Sequence, residues 1–193
     1  ESEYTLMTAR VEYASPQFVS TDFDFRQYSI AFFTRQRLLG LGFTSIQAEW
    51  GGSDRVLPPQ RYFTLTGRAL QMSSAHGFQT LDTFHFSGSR MLSVTAQHDF
   101  GKRFFGKSGI PLVRSIPFTV AIHGGAFWTD FTGSVRPRED EQARTAHHAY
   151  SELGFSVGNL APRLGILNMQ LGFTWQLTDF PTNKFALRWD IGF

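Results

Sequence analysis

The sequence predicts an all-β fold: a transmembrane antiparallel β-barrel with about eight strands in this chain. Three observations point to it. Apolar and polar residues alternate with period two in about eight segments spread along the 193 residues, the pattern of strands with one face in each environment. Aromatic residues make up 16% of the chain, with 21 Phe, yet mean hydropathy is only −0.19, so many rings are diluted by many polar side chains. The stretch KFALRWDIGF, Lys184 to Phe193, holds strict alternation to its final aromatic residue.

Taken in order, the first three strands are LMTARVEY (6–13), RQYSIAFF (26–33) and FTSIQAEW (43–50). MLSVTAQHDF sets Leu92, Val94, Ala96 and Phe100 against Ser93, Thr95, Gln97 and Asp99. PFTVAIHGGAFW sets Phe118, Val120, Ile122 and Trp128 against Thr119, Ala121, His123 and Gly125. SELGFSVG alternates Leu153, Phe155 and Val157 with Glu152, Gly154 and Ser156. LNMQLGFTWQL alternates Leu167, Met169, Leu171, Phe173, Trp175 and Leu177 with Asn168, Gln170, Gly172, Thr174 and Gln176. In the last strand Phe185, Leu187, Trp189, Ile191 and Phe193 share one face. Most of these segments reach the roughly 9–11 residues with which a tilted strand crosses a bilayer. No run approaches the roughly 18 apolar residues of a membrane helix, and no amphipathic helix is evident.

With the C-terminus on the periplasmic side, the external connections are 15–22, 52–88, 129–146 and 179–183. The internal ones are RQRLLG (35–40), GKRFFGKSGIPLVR (101–114) and GNLAPR (158–163). Long connections outside and short ones inside suit a barrel, although 101–114 is longer than that rule favours. Under this assignment Tyr13, Trp50, Trp128 and Trp175 fall near the external ends of strands on the apolar face, as an aromatic girdle would. Trp189 falls mid-strand, outside it.

Net charge is +2, with 18 Lys+Arg against 16 Asp+Glu, which gives no basic face for nucleic acid. Cysteine is absent, so no disulfide framework or thiolate metal site exists. The opening ESEYTLMTAR lacks a basic start followed by an apolar block, so no signal peptide is visible, and the missing initiator Met implies a processed chain or a fragment.

Candidate chemistry is sparse. His147 and His148 are adjacent and would point to opposite faces of a strand, so they do not chelate one ion. His123 falls on the polar face near Glu152 of the next strand, a hydrogen-bonded pair or a proton-handling site. Ser73, Ser74, His76, Asp82 and His85 share the long external connection, but no spacing sets a nucleophile against a base and an orienting acid. SVRPREDEQAR (134–144) mixes signs and reads as a solvated loop, with Arg136, Arg138 and Arg144 available to lipopolysaccharide. No phosphate-cradling glycine loop is present. The expectation is no enzyme, no metal and no cofactor.

KFALRWDIGF, with Phe193 preceded by apolar residues at every second position, resembles the C-terminal targeting signal of bacterial outer-membrane barrels, which the barrel-assembly machinery recognises. LPPQRYFTLTG (57–67) resembles the long external connection of the bacterial surface antigen (BamA/TamA/FhaC-type) superfamily, ahead of a loop that folds into the lumen. AQHDFGKRFFGKSGIPLVRSIPFTVAIHGGAFW (96–128) is similar to a branch found beside carboxypeptidase-like regulatory domains, through His98, Phe100, Gly106, Ile110, Pro111 and Leu112. The resemblance covers most of the chain, residues 1–193 being one barrel domain or the C-terminal part of one.

It implies the C-terminal half of a sixteen-stranded barrel, in the bacterial outer membrane, serving protein insertion or translocation or forming the membrane part of a surface complex. Implied partners are outer-membrane lipid and lipopolysaccharide, the barrel-assembly machinery, and other subunits or the N-terminal half of the barrel. The family's lumen loop carries a Val-Arg-Gly-aromatic motif whose Arg contacts an acid on a later strand. Here the order is reversed, Gly67-Arg68, and Asp130 is the acid the resemblance implies. The bland alternative is a solvated Arg68 and an interfacial Asp130. Two other classes stay open: a barrel enzyme of lipase or protease type, and a soluble β-barrel binding an apolar ligand.

Overall fold

The computed structural model describes residues 2–16, 24–38, 40–55, 57–64, 77–81, 86–106, 109–111, 117–131, 148–160 and 168–192. Ten strands are described: β1 Tyr4–Ala14, β2 Phe25–Leu38, β3 Gly42–Ser53, β4 Phe63–Thr64, β5 Ser87–Gly88, β6 Arg90–Gly101, β7 Thr119–Asp130, β8 Tyr150–Gly158, β9 Asn168–Gln176 and β10 Phe185–Gly192. Helix among the described residues amounts to a 3-10 turn at Pro59–Arg61 and the single turn α1, Arg103–Gly106.

Eight strands form one antiparallel sheet in the order β1-β2-β3-β6-β7-β8-β9-β10. All eight segments with alternating sequence are in it, each paired with its chain neighbours. β4 and β5 form a separate small ladder inside the connection from β3 to β6. Among the described residues, neither β1 nor β10 has a partner on its outer edge.

The register decides which side chains share a face. Glu49, Ser93, Phe127 and Tyr150 are opposite one another in turn, as are Gly125, Glu152 and Gln176. That face also carries Ser45, Gln47, Thr95, Gln97, His123, Ser156, Thr174 and Arg188. The opposite face carries Ile30, Phe32, Ile46, Trp50, Leu92, Val94, Ile122, Leu153, Phe155, Phe173, Trp175, Phe185, Leu187 and Trp189.

Burial runs opposite to polarity. On the polar face Thr174 is 1% exposed, whereas on the apolar face Leu153 is 53% and Leu187 50% exposed. Every one of the eight strands presents at least one exposed large apolar side chain on that outer face. A soluble sandwich or barrel has the reverse arrangement. Rings meet across strands on this face: Phe155 stacks on Phe173 with centroids 5.1 Å apart, and Trp175 lies tilted against Phe185 at 5.4 Å.

Polar residues bound the apolar band at both edges. Arg26, Arg90 and Asp130 lie at the edge with the long connections. At the other edge Thr5 bonds Thr34 (2.9 Å) and Thr44 bonds His98 (2.8 Å).

The turn between β2 and β3 is tighter than the six-residue RQRLLG connection expected, because β2 runs on to Leu38, opposite Gly42. The Leu41 N–H donates to the Leu38 carbonyl at 2.8 Å, and Gly40 and Gly42 take φ of 67° and 144°. A Cβ on Gly42 would sit 1.9 Å from the Asp99 carbonyl oxygen, so only glycine fits there. Arg35 and Arg37, which looked like turn residues, stay in the strand and lie over the Phe43 ring.

The hydrophobic core is not between layers of regular structure. It is a small cluster of Phe78, Leu81, Phe86, Met91, Phe127 and Tyr150, where the β3–β6 connection folds back onto the inner, polar face.

Candidate functional site on the inner face

The site is built from β6, β7 and β8 below and the segment Gly77–Leu81 above. Phe127 and Tyr150 are opposite residues near the long-connection edge of the sheet. They interrupt the polar face with two rings, and the segment answers with Phe78. Its ring lies 6.1 Å from Phe127 and 5.6 Å from Tyr150, edge-on in both cases. Phe86 and Phe180 extend the cluster, 5.4 Å apart. Gly125 makes room, since a Cβ there would come within 3.0 Å of the Phe78 ring. Burial of Phe78 and Leu81 contributes about 1.5–3 kcal/mol each.

A single carboxylate fixes this segment. Glu152 is 4% exposed, and its Oε1 accepts the Gln79 N–H at 2.7 Å. Its Oε2 accepts the Thr80 N–H (3.1 Å), the Thr80 hydroxyl (2.8 Å) and the Tyr150 hydroxyl (3.0 Å). Thr80 and Tyr150 also contact each other through their hydroxyls. Four donors converge on one buried anion, two of them consecutive backbone amides. Charge-assisted bonds of this kind are about twice as strong as neutral ones.

A second polar group lies one step along the inner face. Gly154, opposite His123, leaves space for the imidazole, whose Nε2 pairs with the Thr174 hydroxyl at 2.9 Å. The expected His123–Glu152 pair does not form. The register puts Gly125, not His123, opposite Glu152, so the ring reaches across β8 to β9 while the carboxylate turns to the segment above.

Further along the same face, toward β1, a polar cavity of about 260 Å³ lies between β1–β3 and the turn at Pro59–Arg61. Glu12 joins Arg10 and Arg61 there, the latter at 3.2 Å, and Gln27 donates to the Arg61 carbonyl at 3.0 Å. The Phe63 ring closes over Gly51. The connection is therefore fastened to the inner face at two places.

Of the sequence-predicted residues, Asp130 lies at the end of β7 opposite Arg90, its carboxylate accepting the Phe131 N–H at 2.8 Å. Arg68 falls outside the described residues, as do Ser73, Ser74, His76, Asp82, His85, Arg136, Arg138, Arg144, His147 and Phe193. The described segment Gly77–Leu81 reaches Glu152. Sequence reading placed Glu152 on the polar face but gave it the wrong partner. The signal that pointed to it was an acid within a strand otherwise free of charge, SELGFSVG.

Tyr13, Trp50, Trp128 and Trp175 all lie on the outer face toward the long-connection edge. Trp50 and Trp128 flank Leu92 in one cross-strand row. Phe185, Leu187 and Trp189 are exposed on the same face, and Ile191 pairs with Met169 in the β9–β10 ladder. Among the described residues, no cluster of three His, Asp or Glu side chains suits a metal.

No family model matches the chain, and no curated protein is significantly similar to it.

Proposed function

We propose that the chain is part of the wall of a bacterial outer-membrane β-barrel, with its apolar face toward lipid and its polar face toward the lumen. The observation that carries this reading is the inverted sheet: exposed apolar side chains on one face of all eight strands, with Glu152, Ser156 and Thr174 buried and hydrogen-bonded on the other. Soluble proteins seldom expose apolar patches beyond a few hundred Å², and in hydrocarbon the same surface is solvated. Tyr13, Trp50, Trp128 and Trp175 supply the external girdle.

The wall extends beyond this sheet, as in a sixteen-stranded barrel. Eight strands closed on themselves leave an interior just wide enough for side chains or one small ligand, and here a backbone segment, Gly77–Leu81, lies on the inner face as well. The open edges of β1 and β10 fit further antiparallel strands, from the N-terminal half of the barrel or from another subunit. Such a wall serves protein insertion or translocation, or is the membrane part of a surface complex. Gly77–Leu81 is its inward loop, and β10 is the strand offered to the barrel-assembly machinery.

Mobility on a gel before and after boiling in detergent tests the reading. A heat-dependent shift, with extraction only by detergent, is expected. Aqueous solubility with no shift would favour the soluble alternative and end this one.

A further inference from the structure

The edge of the sheet opposite the long connections carries a second, smaller apolar surface. Beyond the polar row of Thr44 and His98, the Phe100 ring packs on His98 at 4.3 Å. Phe100 meets Phe104 of α1 at 5.5 Å, and Phe104 meets Phe105 at 5.2 Å. Arg103 donates to the Gly40 carbonyl at 3.2 Å, which ties the β6–β7 connection to the β2–β3 turn. Leu38, Leu41, Phe104 and Ile110 are exposed along this edge, beside the exposed cations Lys102 and Arg103. Of the acids at this edge, Asp99 belongs to the inner face and accepts the Gly101 N–H at 2.7 Å, and Glu3 accepts the Arg37 N–H at 3.2 Å.

We propose that this connection is an interfacial anchor that seats anionic phospholipid headgroups, its apolar side chains entering the acyl boundary and Lys102 and Arg103 meeting the phosphates. The inference rests on the membrane reading above. Three features select lipid as the occupant. The patch continues the outer apolar face past its polar border, at the level where headgroups lie. It pairs exposed rings with exposed cations, the composition of surfaces that lie in the interface. The stems of Lys102 and Arg103 are long enough to carry their charges outward from buried aliphatic carbons. This accounts for a connection longer than a barrel turn requires: a tight hairpin would satisfy the backbone but would present no such surface.

The test uses the protein reconstituted into phosphatidylcholine vesicles containing spin-labelled phosphatidylglycerol or spin-labelled phosphatidylcholine, with the motionally restricted lipid fraction as readout. Phosphatidylglycerol is expected to associate more strongly, by about fivefold per contributing cation at low salt. The preference falls toward unity in K102Q/R103Q and in high salt, while Lys184→Gln at the opposite edge leaves it unchanged. Insertion without a phosphatidylglycerol preference, or a preference that survives K102Q/R103Q, overturns the anchor and leaves the membrane reading standing. Failure of the wild-type protein to enter either vesicle overturns the membrane reading and the anchor with it.

Discussion

Replacing Glu152 tests whether one carboxylate holds the inward segment. In Glu152→Ala the Gln79 and Thr80 amides and the Thr80 and Tyr150 hydroxyls lose their common acceptor. Bonds to a charged group contribute about 1.5–3 kcal/mol each, but four bonds to one anion do not add. The cheaper outcome is for Gln79 and Thr80 to swing out to water, which forfeits the burial of Phe78 and Leu81. A local loss of about 3–5 kcal/mol follows. At about 1.4 kcal/mol per factor of ten, the amides of 77–81 exchange at least about a hundred times faster than in wild type.

Glu152→Gln separates charge from shape. One amide oxygen still serves Thr80 and Tyr150, while the new NH₂ faces the Gln79 N–H, a donor against a donor, so the loss falls to about 2 kcal/mol. Hydrogen exchange of the reconstituted protein, resolved by peptide, gives the measurement. Equal exchange of Gln79 and Thr80 in wild type and Glu152→Ala would refute the latch, since the amides would then owe their protection to something else.

On the outer face, Ile122→Arg and Phe155→Arg are expected to destabilise the folded state in bilayers by about 2–4 kcal/mol, whereas Gln97→Arg on the inner face costs little; urea titration of the lipid-bound state followed by Trp fluorescence compares them. Gly154→Ala places a Cβ 2.3 Å from the Phe173 carbonyl oxygen and 2.5 Å from His123 Nε2; a loss of about 1–3 kcal/mol in the same titration is expected, with the His123–Thr174 bond broken. In the connection between β9 and β10, hydrogen bonding to Lys184 and its charge hold the Asp179 carboxyl below the usual carboxylate range. A pKa lowered in the folded state contributes above the unfolded value and is lost as pH falls through the folded one, so any contribution disappears only in acid. Lys184→Gln should return Asp179 to the ordinary range in an NMR titration, with no measurable change in stability because the pair is exposed.

The strands were legible because alternation is a local property. Leu153, Phe155 and Val157 fix both the existence of β8 and its faces, and β10 reads the same way. The edges of strands were less so: Arg35-Gln36-Arg37 looks like a polar turn, but the Phe43 ring on the next strand and the bonds of Gln36 and Arg37 to Thr5 and Glu3 on β1's side keep it in the ladder. The site was mostly hidden. GFQTL has no periodicity, and nothing in its composition says that Phe78 packs on Phe127, 49 positions away in the chain. The His123–Glu152 expectation failed by two residues of register, which alternation alone does not set.

The inward segment has a consequence for how the protein is made. Every ladder in the large sheet except β3–β6 joins consecutive strands, so most hairpins can zip up one after another, with little search. Gly77–Leu81 is a further exception, because Glu152 and Tyr150, its anchors, are synthesised some seventy residues later. In the proposed barrel, a ring of strands sealed before that contact forms would have to be threaded from its mouth by two bulky side chains. Docking is then expected before sealing, and trapping a cysteine at position 78 against one at 127 during assembly reads the timing.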